Sequence, residues 1–158
     1  MGIADTVPLH WDGEFANLNE LLLDVFVNRM GGGTISLSEG EAISDYLESL
    51  HPNAPMRSRK DDAAVRGKAL FESAEVGCSN CHNGPKLTNN MTVDVGTGAM
   101  FQVPSLIGVA YHQPFMHDGC AQTLRDRFDP SCGGANHGKT AGLREEQIAD
   151  LIAYLQSL

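Results

Sequence analysis

Apolar residues recur at helical spacing near both ends of the chain. The first helix is predicted over residues 18–26, where Asn17 can cap the start and Glu20 follows three residues later. The glycines at 31–33 end it. The last helix is predicted over residues 145–157. Its apolar stripe consists of Ile148, Leu151, Ile152, Leu155 and Leu158.

A second helix is predicted in the N-terminal third. Its apolar face consists of Ile43, Tyr46, Leu47 and Leu50. We expect Ser38 and Glu41 to form its capping box and Pro52 to stop it. Residues 51–60, which contain two prolines, are interpreted as a linker.

A third helix is predicted over residues 61–75, followed by a long loop region over 83–122 with a short strand near 101–103. Thr123 is expected to cap a short helix that Pro130 closes. Helices joined by long glycine-rich loops predict an all-α fold.

The chain contains an internal repeat. His-Trp-Asp-Gly at residues 10–13 is similar to Met-His-Asp-Gly at 116–119, and Asp-Tyr-Leu-Glu-Ser-Leu at 45–50 is similar to Ala-Tyr-Leu-Gln-Ser-Leu at 153–158. The repeat predicts the back half of one unit, in a domain over 1–60, and a complete second unit over 61–158. The alternative is that two amphipathic helices merely look alike.

Residues 78–82 read Cys-Ser-Asn-Cys-His, the motif of covalent haem c attachment. Two thiols three residues apart on one turn can add to the two vinyl groups of one porphyrin, and His82 then offers an axial ligand to the iron. A thioredoxin-like redox pair would need a βαβ pattern, which does not surround the motif. A zinc site would need a second close pair of ligands, and Cys120 and Cys132 lie twelve residues apart.

Length and charge limit the number of domains and the kinds of partner that this chain can have. The 158 residues make one domain or two small ones, and an apolar content of 42% allows a real core. The net charge of −9 argues against nucleic acid or an anionic membrane surface as partner. It would suit a basic redox partner, although solubility alone explains it equally well. No apolar run is long enough to span a bilayer.

The expected location is periplasmic or otherwise extracytoplasmic, because haem is attached to this motif outside the cytoplasm. The first residues carry no secretory signal, so we interpret Met1-Gly2 as a cloning start and the chain as a piece of a longer exported protein. In an oxidising compartment, we expect a disulfide between Cys120 and Cys132, with two independent buried thiols as the alternative.

Several segments resemble the bacterial dihaem cytochrome c peroxidase family, including its methylamine-utilisation relatives. The matching segments are 66–71, 81–85, 101–106, 114–119 and the helix that ends at Leu158. They cover the family's C-terminal haem domain, over about 61–158. Residues 10–50 resemble the tail of its N-terminal haem domain, whose own Cys-x-x-Cys-His is absent here.

The resemblance implies a class I cytochrome c core with one haem. In the family, one haem binds peroxide and the other relays electrons to it, and this chain retains only the relay attachment site. We therefore expect electron transfer by a single haem c, in concert with other domains of the parent chain and a redox partner. Peroxide reduction and a haem- or ligand-sensing interaction domain are the alternatives.

The distal iron ligand is predicted to be His137. It lies shortly before the last helix, where distal ligands of cytochrome c folds usually lie, with Met116 and Met100 as alternatives. The other candidates are Met91, His112 and His117. The haem is also expected to contact Pro85, Met100, Phe101, Met116 and His117.

Two further expectations concern the His117 region. His117 is expected to hydrogen-bond a haem propionate or the backbone. The resemblance also implies a possible calcium site on backbone carbonyls at His112 and Pro114, although no acidic cluster marks it.

Overall fold

The computed structural model describes residues 3–134 and 136–158, which form five helices and a small hairpin. The helices are α1 (Leu18–Leu21), continued by a π-helix over Leu22–Arg29, α2 (Leu37–Ser49), α3 (Asp62–Glu72), α4 (Pro130–Gly133) and α5 (Glu145–Leu155). Single 3-10 turns occupy Ala4–Thr6, Cys78–Asn80, Val109–Tyr111 and Asp126–Phe128. The antiparallel strands are β1 (Thr92–Asp94) and β2 (Met100–Gln102). The fold is therefore mostly helical, and the all-α prediction needs correction for the sheet.

The helix starts confirm one predicted cap and correct another. The Asn17 side chain accepts from the Glu20 amide at 3.0 Å, as predicted. In α2 the capping box consists of Ser36 and Glu39, so the prediction of Ser38 and Glu41 was wrong. Two Ser-x-x-Glu patterns overlap here, and the first is used because the helix already begins at Leu37.

The helix ends differ from the prediction in α3, which stops at Glu72 rather than at residue 75. The Ser73 backbone is extended, and its hydroxyl donates to the Leu70 carbonyl at 2.7 Å and accepts from the Val76 amide at 3.2 Å. This side chain replaces the next helical turn. The last helix likewise ends at Leu155 instead of residue 157.

The prediction that Pro130 closes a helix was wrong. Thr123 and Asp126 do exchange side-chain to backbone hydrogen bonds, but only the 3-10 turn Asp126–Phe128 follows. Pro130 instead opens α4, capped by Asp129. Proline suits this first position because it has no amide hydrogen to leave unpaired. The predicted strand near 101–103 is β2, whose partner β1 was not predicted.

The core lies where α3 crosses α5. A Cβ on Gly67 would collide with the Asp150 carbonyl oxygen and lie 2.9 Å from the Tyr154 Cβ, so only glycine permits this approach. Beside the crossing, the Arg66 guanidinium donates to both Asp150 carboxylate oxygens, at 2.9 and 2.7 Å. The buried cluster around it contains Phe71, Leu151, Tyr154, Leu155 and Leu158.

The two copies of the repeat differ in burial. Tyr154 in α5 is 7% exposed, whereas its counterpart Tyr46 in α2 is 63% exposed, and no described residue of the α1 segment or its π-helix is buried. The N-terminal part is attached through the hairpin, where the Gln102 amide donates to the Trp11 carbonyl at 2.8 Å. The division of the chain into domains at residue 60 stays a prediction.

No helix among the described residues is both long enough and apolar enough to cross a lipid bilayer.

Replacing Gly67 with alanine is expected to lower the free energy of unfolding by about 2 kcal/mol, because overpacking against backbone outweighs the gain of about 1 kcal/mol that alanine brings in a helix. The control is Gly142→Ala, where an added Cβ meets nothing within 4 Å. Denaturant unfolding of the haem-loaded protein measures both. Equal stabilities of the two variants would contradict the close crossing.

Candidate functional site

The segment after α3 presents two free thiols on one turn. Gly77, at φ 77°, reverses the chain, the turn Cys78–Asn80 follows, and the His82 amide donates to the Cys78 carbonyl at 3.0 Å. Cys78 and Cys81 are both unpaired and partly buried. Burial raises the pKa of the Cys78 thiol. The turn therefore holds two thiols and one imidazole in a single compact unit.

His82 is held in one orientation and is 9% exposed. Its Nδ1–H donates to the Leu87 carbonyl oxygen at 3.1 Å, and its ring centre lies 6.4 Å from that of Phe71 in the core. Burial lowers the pKa of His82, so the imidazole is neutral. With Nδ1 bonded to backbone, Nε2 keeps a free lone pair for a metal.

His137 lies opposite His82 and is held in the same way. The two ring centres are 6.2 Å apart and the ring planes differ by 30°. The Nδ1–H of His137 donates to the Gly133 carbonyl oxygen at 3.2 Å. Burial, and after it the positive charge of Arg127, lowers the pKa of His137 to about 3. A second neutral imidazole thus stands beside the first.

The spacing of the rings fits a shared metal ion. Bonds of about 2 Å from one metal to two imidazole nitrogens, each about 1 Å from its own ring centre, place two ring centres about 6 Å apart. In the part of the chain that the structure describes, the hydrogen bond of each of these histidines is made by Nδ1. The donor set of two imidazoles and two thiols on one turn therefore suits an iron porphyrin attached through thioethers.

The loop that carries His137 passes beside the attachment turn. The Lys139 amide donates to the Val76 carbonyl at 2.9 Å, and a Cβ on Gly138 would lie 3.8 Å from the Cys78 sulfur. Gly138, at φ 77°, adopts a backbone conformation that favours glycine. The proximal and distal sides of the site are thereby joined through backbone.

The methionine candidates lie in different surroundings. Met100 on β2 is 53% exposed and Met91 is 59% exposed, whereas Met116 is partly buried at φ 68°. Among the described residues, the aromatic ring contacts of His82 are with Phe71 and His137. The assignment of a distal ligand stays a prediction.

Two of the predicted haem contacts, His117 and Phe101, lie against each other. His117 stacks on Phe101, with ring centres 3.9 Å apart and planes 24° apart, and meets Trp11 edge to face at 6.5 Å. This aromatic group ties residue 11 to the second repeat. Pro85 is exposed. The calcium site at His112 and Pro114 stays a prediction.

Cys120 and Cys132 form a disulfide in the structure, with Cα atoms 5.8 Å apart. Cys132 lies in α4, next to Gly133, whose carbonyl accepts from His137. The bridge therefore ties the His-Asp-Gly segment to the loop that holds His137. It also removes both sulfurs from any zinc site with Cys78 and Cys81.

Sequence reasoning missed two contributors to the site. The Arg127 guanidinium donates to the His137 carbonyl oxygen, and Gly133 lets the Arg127 backbone approach, since a Cβ there would collide with the Arg127 carbonyl oxygen. The Gly133-Gly134 pair was a usable signal of close backbone approach. Arg127 carried no pattern that sets it apart from Arg125.

A helical crossing over a Cys-x-x-Cys-His turn defines a c-type cytochrome. A family model confirms this class: the model described as Cytochrome c matches residues 64–158, and the chain belongs to the cytochrome c family. Haem c is therefore the cofactor of this domain.

Three curated relatives confirm the resemblance to the dihaem peroxidase and methylamine-utilisation group. The chain is 25% identical to hydrazine synthase subunit gamma of Kuenenia stuttgartiensis, aligned over 75% of this chain and 48% of that protein. It is 27% identical to the cytochrome-c peroxidase IdrP1 of Denitromonas iodatirespirans, aligned over 60% of this chain and 40% of that protein. It is also 27% identical to the methylamine utilization protein MauG of Methylorubrum extorquens, aligned over 60% of this chain and 34% of that protein.

A solved structure of Kuenenia stuttgartiensis hydrazine synthase shares the fold. The TM-score is 0.75 at 23% identity, covering 92% of this chain and 63% of that one. The chain thus spans less than half the length of each of these three curated relatives, and less than two thirds of this solved chain.

Replacing both Cys120 and Cys132 with serine is expected to lower the free energy of unfolding by about 3 kcal/mol, because the bridge closes a loop of twelve positions. We also expect faster binding of cyanide to the ferric haem, since the loop that holds His137 loses one anchor. Unfolding curves and cyanide binding rates measure the two effects. Unchanged cyanide binding would show that the bridge does not restrain His137.

Proposed function

We propose that this chain carries single electrons on one haem c, attached through Cys78 and Cys81 and ligated by His82 and His137, outside the cytoplasm. The observation that carries the proposal is the facing pair of neutral imidazoles, 6.2 Å apart, each fixed by its Nδ1. Iron with two protein ligands has no open position for peroxide, so this arrangement favours electron transfer.

The protein contributes orientation and a low-polarity environment, while the haem supplies the one-electron chemistry. The carbonyl oxygens of Leu87 and Gly133 hold the two imidazoles and increase their basicity as ligands. Because both rings are held by backbone before and after electron transfer, little reorganisation is needed. Two histidine ligands also set a lower reduction potential than a histidine and a methionine would.

The location outside the cytoplasm is supported by the disulfide. Cys120 and Cys132 are paired, and such bridges persist in oxidising compartments. We propose that further domains of a longer protein act together with this one.

The first test compares visible and near-infrared absorption of wild type, His137→Ala and His51→Ala. We expect a low-spin wild type without the methionine–iron charge-transfer band, a high-spin His137→Ala, and an unchanged His51→Ala. His51 is the matched control because it is exposed in the linker.

Two results would overturn this assignment. A methionine band that survives in His137→Ala would move the ligand to Met116 or Met100, which Met116→Ala and Met100→Ala would separate. A wild type that is already high-spin and turns over peroxide faster than free haem would put the peroxidase function first.

Electron exchange with a small basic redox protein is expected to slow as ionic strength rises. The net charge of −9 attracts a cationic partner, and salt screens this attraction. Stopped-flow mixing at increasing salt measures the rate. An acidic redox protein is the control, and it should speed up over the same range. Equal salt dependence for both partners would show that the net charge of this chain does not attract the basic partner.

A further inference from the structure

Arg127 lies in the turn Asp126–Phe128, beneath the loop that carries His137. Its side chain is partly buried, and its Nη2 donates to the His137 carbonyl oxygen. Its guanidinium carbon lies 5.0 Å from the centre of the Phe128 ring. The guanidinium is therefore held at the edge of the haem site by one hydrogen bond and one aromatic face.

The charge of Arg127 has no counter-charge in the part of the chain that the structure describes. Arg66 pairs with Asp150 at 2.7 Å and Arg125 pairs with Glu145 at 2.7 Å, but no described carboxylate lies within 4.0 Å of the Arg127 nitrogens. Removal from water lowers the pKa of Arg127 to about 10, although the group stays charged at neutral pH. Removing a cation from water without a nearby anion costs free energy, so a negative group bound beside Arg127 would be stabilising.

The guanidinium lies beside the loop that carries His137. Its Nη2 donates to the His137 carbonyl oxygen, and the Arg127 backbone packs directly against Gly133, whose carbonyl oxygen accepts from the His137 imidazole. A haem carries two carboxylates, its propionates, and a guanidinium is well suited to bind a carboxylate through two parallel hydrogen bonds.

We propose that Arg127 binds a propionate carboxylate of the haem while its Nη2 holds the His137 carbonyl. The inference rests on the proposed haem site. It adds one residue that binds both the cofactor and the loop that carries His137. With the propionate in place, the buried cation is neutralised and the guanidinium becomes a brace between the cofactor and the His137 loop. Arg125, two residues earlier, cannot do this because it is exposed and already paired.

The test uses three variants of the haem-loaded protein. Arg127→Gln keeps a donor for the His137 carbonyl but removes the charge, Arg127→Lys keeps the charge, and Arg125→Gln removes an exposed charge from the same turn. Potentiometric titration gives the reduction potential of each. Redox-induced infrared difference spectra report the propionate carboxylate bands.

In Arg127→Gln we expect the equilibrium constant for reduction to fall about tenfold, about 59 mV for one electron, because a cation near the haem favours the reduced state. The propionate bands should shift in the same variant. Arg127→Lys should restore most of the potential, and Arg125→Gln should match wild type. The low-spin spectrum should persist in all three.

The proposal is overturned if Arg127→Gln matches Arg125→Gln in potential and in its propionate bands. It is also overturned if Arg127→Gln and Arg127→Lys both become high-spin with unshifted propionate bands, since Arg127 would then only position the His137 loop. Failure of the proposed function is distinguishable, because it shows in the spectrum of wild type itself.

Discussion

The close crossing of α3 and α5 is the constraint on which the haem site depends. Gly67 lets the two helices meet at backbone distance, and this crossing places Phe71 between them. The Phe71 ring then contacts both Tyr154, at 5.1 Å between centres, and His82, at 6.4 Å. The helix crossing therefore helps to orient the His82 imidazole through its contact with Phe71, in addition to the attachment turn itself.

The repeat shows that the same helical pattern can end in different surroundings. Helices α2 and α5 share a Tyr-Leu-x-Ser-Leu ending, yet α5 has α3 across it while Tyr46 in α2 faces outward. An apolar stripe predicts which face a helix can bury. Burial itself needs a partner helix, and a close crossing is helped by a small residue at the contact. In the second repeat, Gly67 is that residue.

The site was predictable where local chemistry fixes the outcome, and less so where tertiary contacts do. The Cys-x-x-Cys-His spacing and the Asn17 cap could be read directly, because each depends on residues within one turn. The cap of α2 could not, since overlapping Ser-x-x-Glu patterns are equivalent until the helix start is known. Strand β1 escaped prediction because its three residues are too few for an alternating pattern. Arg127 escaped it because its partner, ten residues later, is a backbone carbonyl oxygen, which leaves no signal in the sequence.

With His137 as the proposed distal ligand, the anchored loop has a consequence for competition at the iron. His137 lies five positions after the disulfide at Cys132 and two before Lys139, which is tied to Val76 by backbone. The Cα of a released His137 could lie no farther than about 17 Å from the Cα of Cys132. Its imidazole would stay at an effective concentration of about millimolar or more, so rebinding would be intramolecular and fast. Dilute external ligands would have to bind the metal during these brief openings. The tether would therefore slow their binding.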